Sequence, residues 1–276
     1  MKLIIDTDIG TDVDDALAIA HAVKSGIDLE LITTVHGDTE TRAKIAKKLL
    51  NLLGKDVPVH MGEETPLKQR HIYTSGREGQ GFLENDDVLD IERDGIDALA
   101  ETILRNRGNI NIAAIGPLTN IAKAFQTYPE LPGAVNHLYL MGNAVVRSSE
   151  YFINYRSHNF KVDPEAVDIV MAAEVDKTIV TTGVCKLNFL TSEDLQQMGK
   201  HPSQAVKYLA AAAQEWMDYI SYPVAYLYDP LTVHHHIDQR VTSQVCYAAQ
   251  RTSVTTHVSR DFSRTFLDSI LRGNNL

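Results

Sequence analysis

The stretch IIDTDIGTDVDD (residues 4–15) decides the fold of this chain. It opens as a short apolar run, which is typical of a buried strand, and it closes in a dense group of acids. The aspartates in it are Asp6, Asp8, Asp12, Asp14 and Asp15. Each close pair of carboxylates repels by roughly 1 kcal/mol even in water, so the group needs a counter-charge or a polar ligand. Helix capping accounts for Asp12 and at most for Asp14, whereas Asp6 and Asp8 close the strand and favour a metal or polar-ligand site.

The composition is that of a globular protein with an excess of acidic residues. The 276 residues are 44% hydrophobic, which is enough for a substantial core, and the formal net charge is −10. Without a basic tract, this charge disfavours nucleic acid and anionic membranes as partners and favours a cation or a neutral polar ligand. No linker, composition break or internal repeat divides the chain, so we predict one domain over residues 1–276.

Three features of the sequence predict the cellular location of the protein. No segment approaches roughly 18 consecutive apolar residues, so no membrane span is expected. Met1 runs directly into a strand-like segment without an apolar leader, so no signal peptide is expected either. Cys185 and Cys246 share no metal-binding spacing, and we favour free thiols over a disulfide. These features predict a cytoplasmic protein.

Apolar runs of strand length alternate with helical patterns over most of the chain. The predicted strands are residues 3–6, 29–35, 57–61, 110–115, 137–141 and 178–182. The predicted helices are residues 14–25, 41–53, 96–107, 120–127 and 164–173, followed by 203–220, 230–236 and a strand-like tail over 243–258. Such alternation is typical of the α/β class, and we predict a single domain with a mostly parallel central sheet flanked by helices.

The residues that follow the predicted strands carry most of the chemistry. Ligands of an open parallel sheet bind beyond the carboxyl ends of its strands. The strand ends read Asp6-Thr-Asp8, His36-Gly37-Asp38, Ile115-Gly116-Pro117 and Gly142-Asn143. Acids, glycines and an amide thus meet at one edge of the sheet, and oxygen ligands of this kind suit a hard divalent cation.

The motif DTDIGTDVDDALA (residues 6–18) resembles the N-terminal signature of the calcium-dependent, inosine-uridine preferring nucleoside hydrolases, in a variant with two extra residues before the final acid pair. The resemblance extends over most of the chain. The segments TTVHGDTETRAKIAKKLL, AAIGPLTNIAKA, MGN, HNFKVDPEA and YDPLTV follow in the order of the family. The first motif is specific, and the ordered set implies the nucleoside hydrolase fold and hydrolysis of a ribonucleoside to free base and ribose.

The resemblance also implies a single bound Ca²⁺ that holds the ribose 2′- and 3′-hydroxyls and a water. Asp8 is then a calcium ligand and the general base for that water, and Asp15 is a bidentate ligand. Ile115 supplies its backbone carbonyl, and Asp229 completes the protein ligands and contacts the 3′-hydroxyl. Without the family resemblance, the alternative interpretation of Asp229 is the N-cap of a helix that begins at Pro230. Asp14 is implied to bind the 2′-hydroxyl.

Further residues are implied to contact the substrate. Asn143 and Asn159 match family asparagines that bind the sugar, and Asp38 stands where many members have asparagine. Asp6 is implied to orient the ligands, while Asp12 has no counterpart and is expected to face solvent. The family is usually dimeric or tetrameric, which predicts a homodimer or homotetramer with a small-molecule ribonucleoside as its partner.

The sequence departs from the family at both ends of the substrate. Ser157 replaces a glutamate that helps to bind the 5′-hydroxyl, so the 5′ end is bound differently or is modified. Tyr228 replaces a histidine thought to protonate the leaving base. Tyrosine is a weak general acid at its usual pKa of about 10. Tyr228 is kept as the catalytic candidate and His158 as a substrate-binding residue, and His158, His71 and Arg77 are the alternative acids.

Two other functions stay open at this point. A strand followed by Asp-x-Asp also begins the aspartyl phosphatases, although residues 9 and 10 and the lack of a later acid pair fit that class poorly. A binding protein of the same fold that hydrolyses slowly is the second alternative. The glycine-rich segment 71–84 is predicted to be a mobile loop over the site. The run His234-His235-His236 is not expected to bind metal, because adjacent helical side chains point apart.

Overall fold

The first strand is apolar at successive positions, and the sheet is therefore buried on both of its faces. Leu3 and Ile5 point to one face and Ile4 to the other, and all three are fully buried. In strands that alternate with helices, this pattern requires helices on each side of the sheet. The computed structural model describes residues 1–68, 70–84, 89–147, 150–258 and 261–272.

The strands and helices follow the predicted order along these ranges. The strands are β1 (Lys2–Thr7), β2 (Asp28–Thr34), β3 (Val59–Met61), β4 (Ile110–Ala114), β5 (His137–Gly142), β6 (Ala144–Arg147), β7 (Glu150–Ile153), β8 (Lys177–Thr181), β9 (Phe189–Thr191), β10 (Val224–Tyr226), β11 (Thr242–Tyr247) and β12 (Thr252–Val258). The helices are α1 (Asp14–Lys24), α2 (Thr39–Leu52), α3 (Gly95–Arg105), α4 (Thr119–Thr127), α5 (His158–Val162), α6 (Pro164–Ala172), α7 (Thr182–Cys185), α8 (Ser192–Gly199), α9 (Gln204–Ile220), α10 (Tyr228–His234) and α11 (Phe262–Arg272). None of the helices in the described ranges has the length and apolar character needed to cross a bilayer.

The central sheet has the order β11-β12-β8-β5-β4-β1-β2-β3. Neighbouring strands are parallel except for β11, which pairs antiparallel with β12. One core lies under α1, α2, α8, α9, α10 and α11, and the other lies under α3, α4, α5 and α6. The prediction of a single α/β domain with a mostly parallel sheet flanked by helices is confirmed.

The order in which successive strands are added to the sheet reverses at β1. From β1 it moves outward through β2 to β3, and it then returns to place β4 on the other side of β1. Asp6 pairs with Ala114 of β4 and with Thr33 of β2. The carboxyl ends of β1 and β4 therefore form a topological switch point, where open parallel sheets bind their ligands.

The segment 70–84 forms neither helix nor strand, as predicted, but it is attached to α9 at two points. The ring of Phe82 stacks on Tyr208 with 3.7 Å between centroids. Arg77 forms an ion pair with Glu215 and lies over the ring of Tyr219. The loop is thus held across the outer end of the first core.

Several short elements were not predicted from the sequence. The hairpin of β6 and β7 and the ribbon of β9 and β10 fall in short segments without a clear apolar period. Helix α11 does carry an apolar face at helical spacing, formed by Phe262, Phe266 and Ile270, and this pattern was overlooked. Val145 and Phe152 of the hairpin are exposed, so its alternation gives no strong inward pattern. Residues 148 and 149 lie outside the described ranges.

His234, the first residue of the run of three histidines, forms a buried hydrogen-bond chain with His21 and Ser269. His21 Nε2 lies 3.1 Å from His234 Nδ1, and His21 Nδ1 lies 2.8 Å from Ser269 Oγ. Because the Ser269 hydroxyl donates to the carbonyl of Phe266 at 2.7 Å, its oxygen accepts from His21, which in turn accepts from His234. His235 bonds separately to Thr242, so the adjacent histidines do point apart.

Burial keeps this chain of histidines neutral and makes the fold sensitive to acid. Burial lowers the pKa of His234 to about 4, and burial together with His234 lowers the pKa of His21. Above a pH of about 6.5, the pKa of histidine in the unfolded chain, both histidines are neutral in both states and the fold keeps its full stability. As the pH falls towards the lower pKa values of the folded state, the unfolded chain binds protons first and the free energy of unfolding decreases. We expect His234 alone to contribute roughly 3 kcal/mol to this loss, as measured by urea unfolding between pH 7.5 and 4.

The double substitution His21→Leu/His234→Leu should flatten this part of the pH profile, since Ser269 keeps its bond to Phe266. The exposed His257→Gln is the control and should leave the slope unchanged. A double variant with the full wild-type slope would contradict the assignment.

Candidate active site

The buried end of β1 is organised around Asp6. Its Oδ1 accepts hydrogen bonds from Thr33 Oγ1 at 2.6 Å and from Asn120 Nδ2 at 2.7 Å. Burial raises the pKa of Asp6 to about 7, against the opposing effect of these two bonds. Asp6 thus ties β2 and the start of α4 to β1 and fixes the strand end from which Asp8 extends, in agreement with its predicted supporting role.

The acids at the start of α1 form a compact cluster. Carboxylate oxygens of Asp12, Asp14 and Asp15 lie within 4.8 Å of one another. The Thr7 hydroxyl donates to Asp15, which fixes that carboxylate against β1. The expectation that Asp12 faces solvent is wrong, because Asp12 is only partly exposed and lines the same cleft as Asp14 and Asp15.

These carboxylates lie in a cleft of about 370 Å³ beyond the carboxyl ends of β1 and β4. The cleft is within the usual size range of small-molecule sites, about 300–1,000 Å³. Of the residues predicted from the sequence, those that line it are Asp8, Asp14, Asp15, Ile115, His158, Asn159, Tyr228 and Asp229. Residues from five separate parts of the chain therefore converge as the strand-end argument predicted.

Asp229 and Tyr228 enter the cleft from the first turn of α10. Burial raises the pKa of Asp229 well above its usual value, and Asp14 and Asp15 raise it further. Burial, followed by the charge of Asp14, also raises the pKa of the Tyr228 hydroxyl. Tyr228 thus keeps its proton, which makes it a hydrogen-bond donor and a poor proton source.

The carbonyl of Ile115 and the side chain of Asn159 contact each other directly. Asn159 Nδ2 donates to the Ile115 oxygen at 2.6 Å. A carbonyl oxygen has two lone pairs, so one remains for a further ligand. Asn159 therefore orients the carbonyl that was predicted to bind metal and leaves its own Oδ1 for the cleft.

Two predicted substrate residues lie elsewhere. Asp38 caps α2, where its two carboxylate oxygens accept from the backbone N–H and the hydroxyl of Thr41 at 2.9 and 2.7 Å. Asn143 lies between β5 and β6, and its carbonyl accepts from the backbone N–H of Asn154. Neither residue lines the cleft. The strand-end pattern and the family resemblance both placed these residues in the site, whereas the local contacts hold Asp38 as a helix cap and the backbone of Asn143 at the base of the β6–β7 hairpin.

His158 occupies the rim of the cleft beside Asp8. Its Nε2 lies 3.7 Å from Asp8 Oδ2, and its ring lies 5.3 Å from that of Tyr73, measured between centroids. His36, at the end of β2, lies next to both rings and accepts a hydrogen bond from the Tyr73 backbone. The loop 70–84 thus places Tyr73 at the cleft, and no motif of the sequence singles this residue out.

The donor set fits a hard divalent cation. It consists of carboxylate and carbonyl oxygens, with several carboxylates buried and close enough to repel one another. Burial and neighbouring carboxylates raise the pKa values of Asp14 and Asp15 well above the usual range. A cation bound among these oxygens would offset both effects.

Comparison with known sequences identifies the family of the chain. Over residues 3–271 the chain matches the model of a family described as inosine-uridine preferring nucleoside hydrolase. The chain belongs to this nucleoside hydrolase family. The predicted enzyme class, hydrolysis of the N-glycosidic bond of ribonucleosides, is thereby confirmed, and the aspartyl phosphatase alternative is no longer supported.

Individual relatives agree with this assignment. The chain is 32% identical over 248 residues to a probable uridine nucleosidase 2 of Arabidopsis thaliana, a match that covers 84% of this chain and 76% of that protein. It is 31% identical over 206 residues to a non-specific ribonucleoside hydrolase of Salmonella paratyphi B, covering 72% of this chain and 66% of that protein. A solved plant nucleoside hydrolase superimposes with a TM-score of 0.80 at 25% identity, over 98% of each chain.

This nucleoside hydrolase positions Asp8 through a residue that sequence reasoning missed. Arg42 of α2 is 1% exposed, and its guanidinium donates to the carbonyls of Asp8, Ile9 and His36, with distances of 2.8 Å to Ile9 and 2.6 Å to His36. The signal was present, because Arg42 falls on the apolar face of α2 beside Ala43 and Ala46. A charge on that face requires buried partners.

Removal of the Arg42 guanidinium should destabilise the fold strongly. Arg42→Met leaves three buried carbonyl groups without their donor, so we expect a loss of roughly 2–5 kcal/mol in the free energy of unfolding. Lys44→Met is the matched control on the same helix, since the Lys44 side chain is 36% exposed and pairs with Glu40, and it should change stability by less than about 0.5 kcal/mol. Equal effects in urea titrations would show that Arg42 is not a structural anchor.

Proposed function

We propose that this enzyme hydrolyses a ribonucleoside to free base and ribose in the cleft at the carboxyl ends of β1 and β4, with Ca²⁺ as its metal. The observation that supports the proposal is the convergence of Asp8, Asp14, Asp15 and Asp229 in one cleft. Asp8 follows β1, Asp14 and Asp15 begin α1, and Asp229 lies in α10, so the four carboxylates meet only in the folded chain. Burial of so much negative charge is favourable when a cation and a positively charged transition state are bound there.

The metal in this proposal is held by Asp8, Asp15, Asp229 and the Ile115 carbonyl. Calcium prefers six to eight oxygen ligands, more than this set provides, and sugar hydroxyls and water supply the rest. When bound, Ca²⁺ orients the ribose diol and lowers the pKa of the attacking water. Asp14, adjacent to Asp15 at the helix start, is placed to accept a hydrogen bond from the ribose 2′-hydroxyl.

Asp8 is the proposed general base. It closes the central strand and is nine-tenths buried, with its backbone fixed by Arg42 and its carboxylate 3.7 Å from His158. Asp8 takes a proton from water as the water oxygen bonds to C1′ and the C1′–N bond breaks. Positive charge develops on the sugar in this transition state, and the surrounding carboxylates stabilise it more than they stabilise the ground state.

The departing base receives a hydrogen bond from Tyr228. Its raised pKa means that the hydroxyl stays protonated and stabilises the leaving nitrogen without full proton transfer at that step. The nitrogen finally takes a proton from solvent or from His158 at the rim. His158 and Asn159 contact the sugar from the α5 side of the cleft.

Two further predictions accompany this proposal. Assembly into homodimers or homotetramers rests on the family resemblance, and a cytoplasmic location rests on composition. Relatives named as a uridine nucleosidase and as a non-specific ribonucleoside hydrolase make uridine and inosine the first substrates to test.

Asp8→Asn should lower kcat by about 10²–10⁴-fold because an amide cannot accept the proton of water. The measurement is release of free base from uridine and inosine with Ca²⁺ present, and chelation of the metal should abolish the wild-type rate. Asp28→Asn is the matched control, since Asp28 begins β2 at the opposite edge of the sheet and is exposed. Absence of cleavage of any nucleoside, together with no effect of Asp8→Asn, would falsify the hydrolase proposal.

Tyr228→Phe should lower kcat by up to about tenfold, the value of one hydrogen bond between neutral groups. KM should change less, because the bond strengthens as the base departs. Tyr128→Phe, which removes a hydroxyl bonded to Asp97 on the surface, should have no effect. A loss of several thousandfold at Tyr228 would instead identify it as an essential general acid.

A further inference from the structure

The cleft carries a basic rim that the proposed hydrolysis does not use. Arg156, which precedes α5, and Lys186, which follows α7, both line it and are both exposed. In the described part of the chain, neither side chain has an ion-pair or hydrogen-bond partner, whereas Arg42, Arg70 and Arg77 are all paired. Two unpaired cations therefore face a cleft whose other wall is acidic.

Ser157 lies beside this rim and is incompletely satisfied. It lines the cleft, it is only 9% exposed, and its hydroxyl has no hydrogen-bond partner among the described residues. A buried hydroxyl without a partner is unfavourable, and a ligand with acceptor oxygens would satisfy it. Ser157 thus points independently to a polar ligand on the same side as Arg156.

The geometry points to a site for a phosphate group on the ribose 5′-oxygen, and we propose that the enzyme acts on ribonucleoside 5′-monophosphates. The inference rests on the proposed function, because it assumes that the 2′- and 3′-hydroxyls lie on the acidic cluster. With the diol bound there and the bond at C1′ cleaved, the 5′-oxygen is the remaining exocyclic oxygen of the ribose. Any anionic substituent on the sugar is therefore carried at that position.

The charges of the rim match such a group. A phosphate monoester carries about −1.5 to −2 charges at pH 7 and three acceptor oxygens. Arginine binds phosphate in a bidentate manner and lysine binds it as a point charge, and the Ser157 hydroxyl supplies a neutral donor. The two cations also offset the repulsion between the phosphate and the aspartates of the cleft.

The chemistry at C1′ is unchanged for this substrate. The water oxygen bonds to C1′ and the C1′–N bond breaks. One water proton passes to Asp8, the other stays on the new C1′ hydroxyl, the base takes up one proton, and the phosphoester bond stays intact. The products are the free base and ribose 5-phosphate. Release of inorganic phosphate is not expected and would overturn the inference.

Binding can be measured without turnover, because Trp216 is the only tryptophan of the chain and lines the cleft. Its fluorescence is followed while ribose or ribose 5-phosphate is added with Ca²⁺ present. We expect ribose 5-phosphate to bind at least about tenfold more tightly than ribose, and the difference to shrink at high salt. Arg156→Gln and Lys186→Gln should each reduce the preference about fivefold, and the double variant should nearly remove it.

The matched control is Lys161→Gln, which removes an exposed cation from α5 outside the cleft and should leave the preference intact. Rates complete the test: the ratio of kcat/KM for uridine 5′-monophosphate to that for uridine, and for the inosine pair, should fall in the same variants. Equal binding of the two sugars, or a preference that survives in the double variant, overturns the inference.

The two levels of the proposal fail differently. Cleavage of uridine or inosine without cleavage of their monophosphates overturns the inference and leaves the proposed hydrolase function standing. If none of the four compounds is cleaved while ribose 5-phosphate still binds through Arg156 and Lys186, the proposed hydrolysis fails and the phosphate site stands.

Discussion

Repulsion among buried carboxylates is the constraint on which the rest of this structure depends. Asp8, Asp14, Asp15 and Asp229 are each less than a tenth exposed and share one cleft. Such a cluster is kept only when the backbone beneath it cannot relax. The switch point supplies that rigidity, because β1 is held by a parallel strand on each side and both faces of the sheet are covered by helices.

The supporting contacts are spread over distant parts of the chain. Asp6 collects donors from β2 and α4, Thr7 fixes Asp15, and Arg42 holds the carbonyl groups that follow β1. Each of these hydrogen bonds fixes the position of an acid of the cluster or of the backbone that carries it. The strength of the site therefore resides as much in neutral hydroxyls, amides and one buried cation as in the acids themselves.

The sequence was sufficient for the sheet, its direction and most of the acidic cluster, because buried strands and strand-end acids leave a local pattern. It was insufficient where one residue type can play two roles, as an aspartate after a strand can either enter the site or cap the next helix. Asp38 follows a strand as Asp8 does, but Thr41 three residues later makes it a helix cap. Arg42 was missed although it falls on the apolar face of α2, because its partners are backbone groups far away in sequence and cannot be named from the helix pattern. Asp12 was misjudged because the path of the loop before α1 depends on tertiary packing.

Because the strands are parallel, the two ends of the sheet should differ in how well they tolerate amino-acid replacements. All of the chemistry lies at the carboxyl edge of the sheet, while the amino edge carries short turns such as those before β2 and β4. The turns at the amino ends of the strands lie across the sheet from the cleft, so they are the natural place for tags, labels or surface attachment. The carboxyl edge is where new substrate preferences can arise, since loops there can be rebuilt while the sheet that supports them is kept.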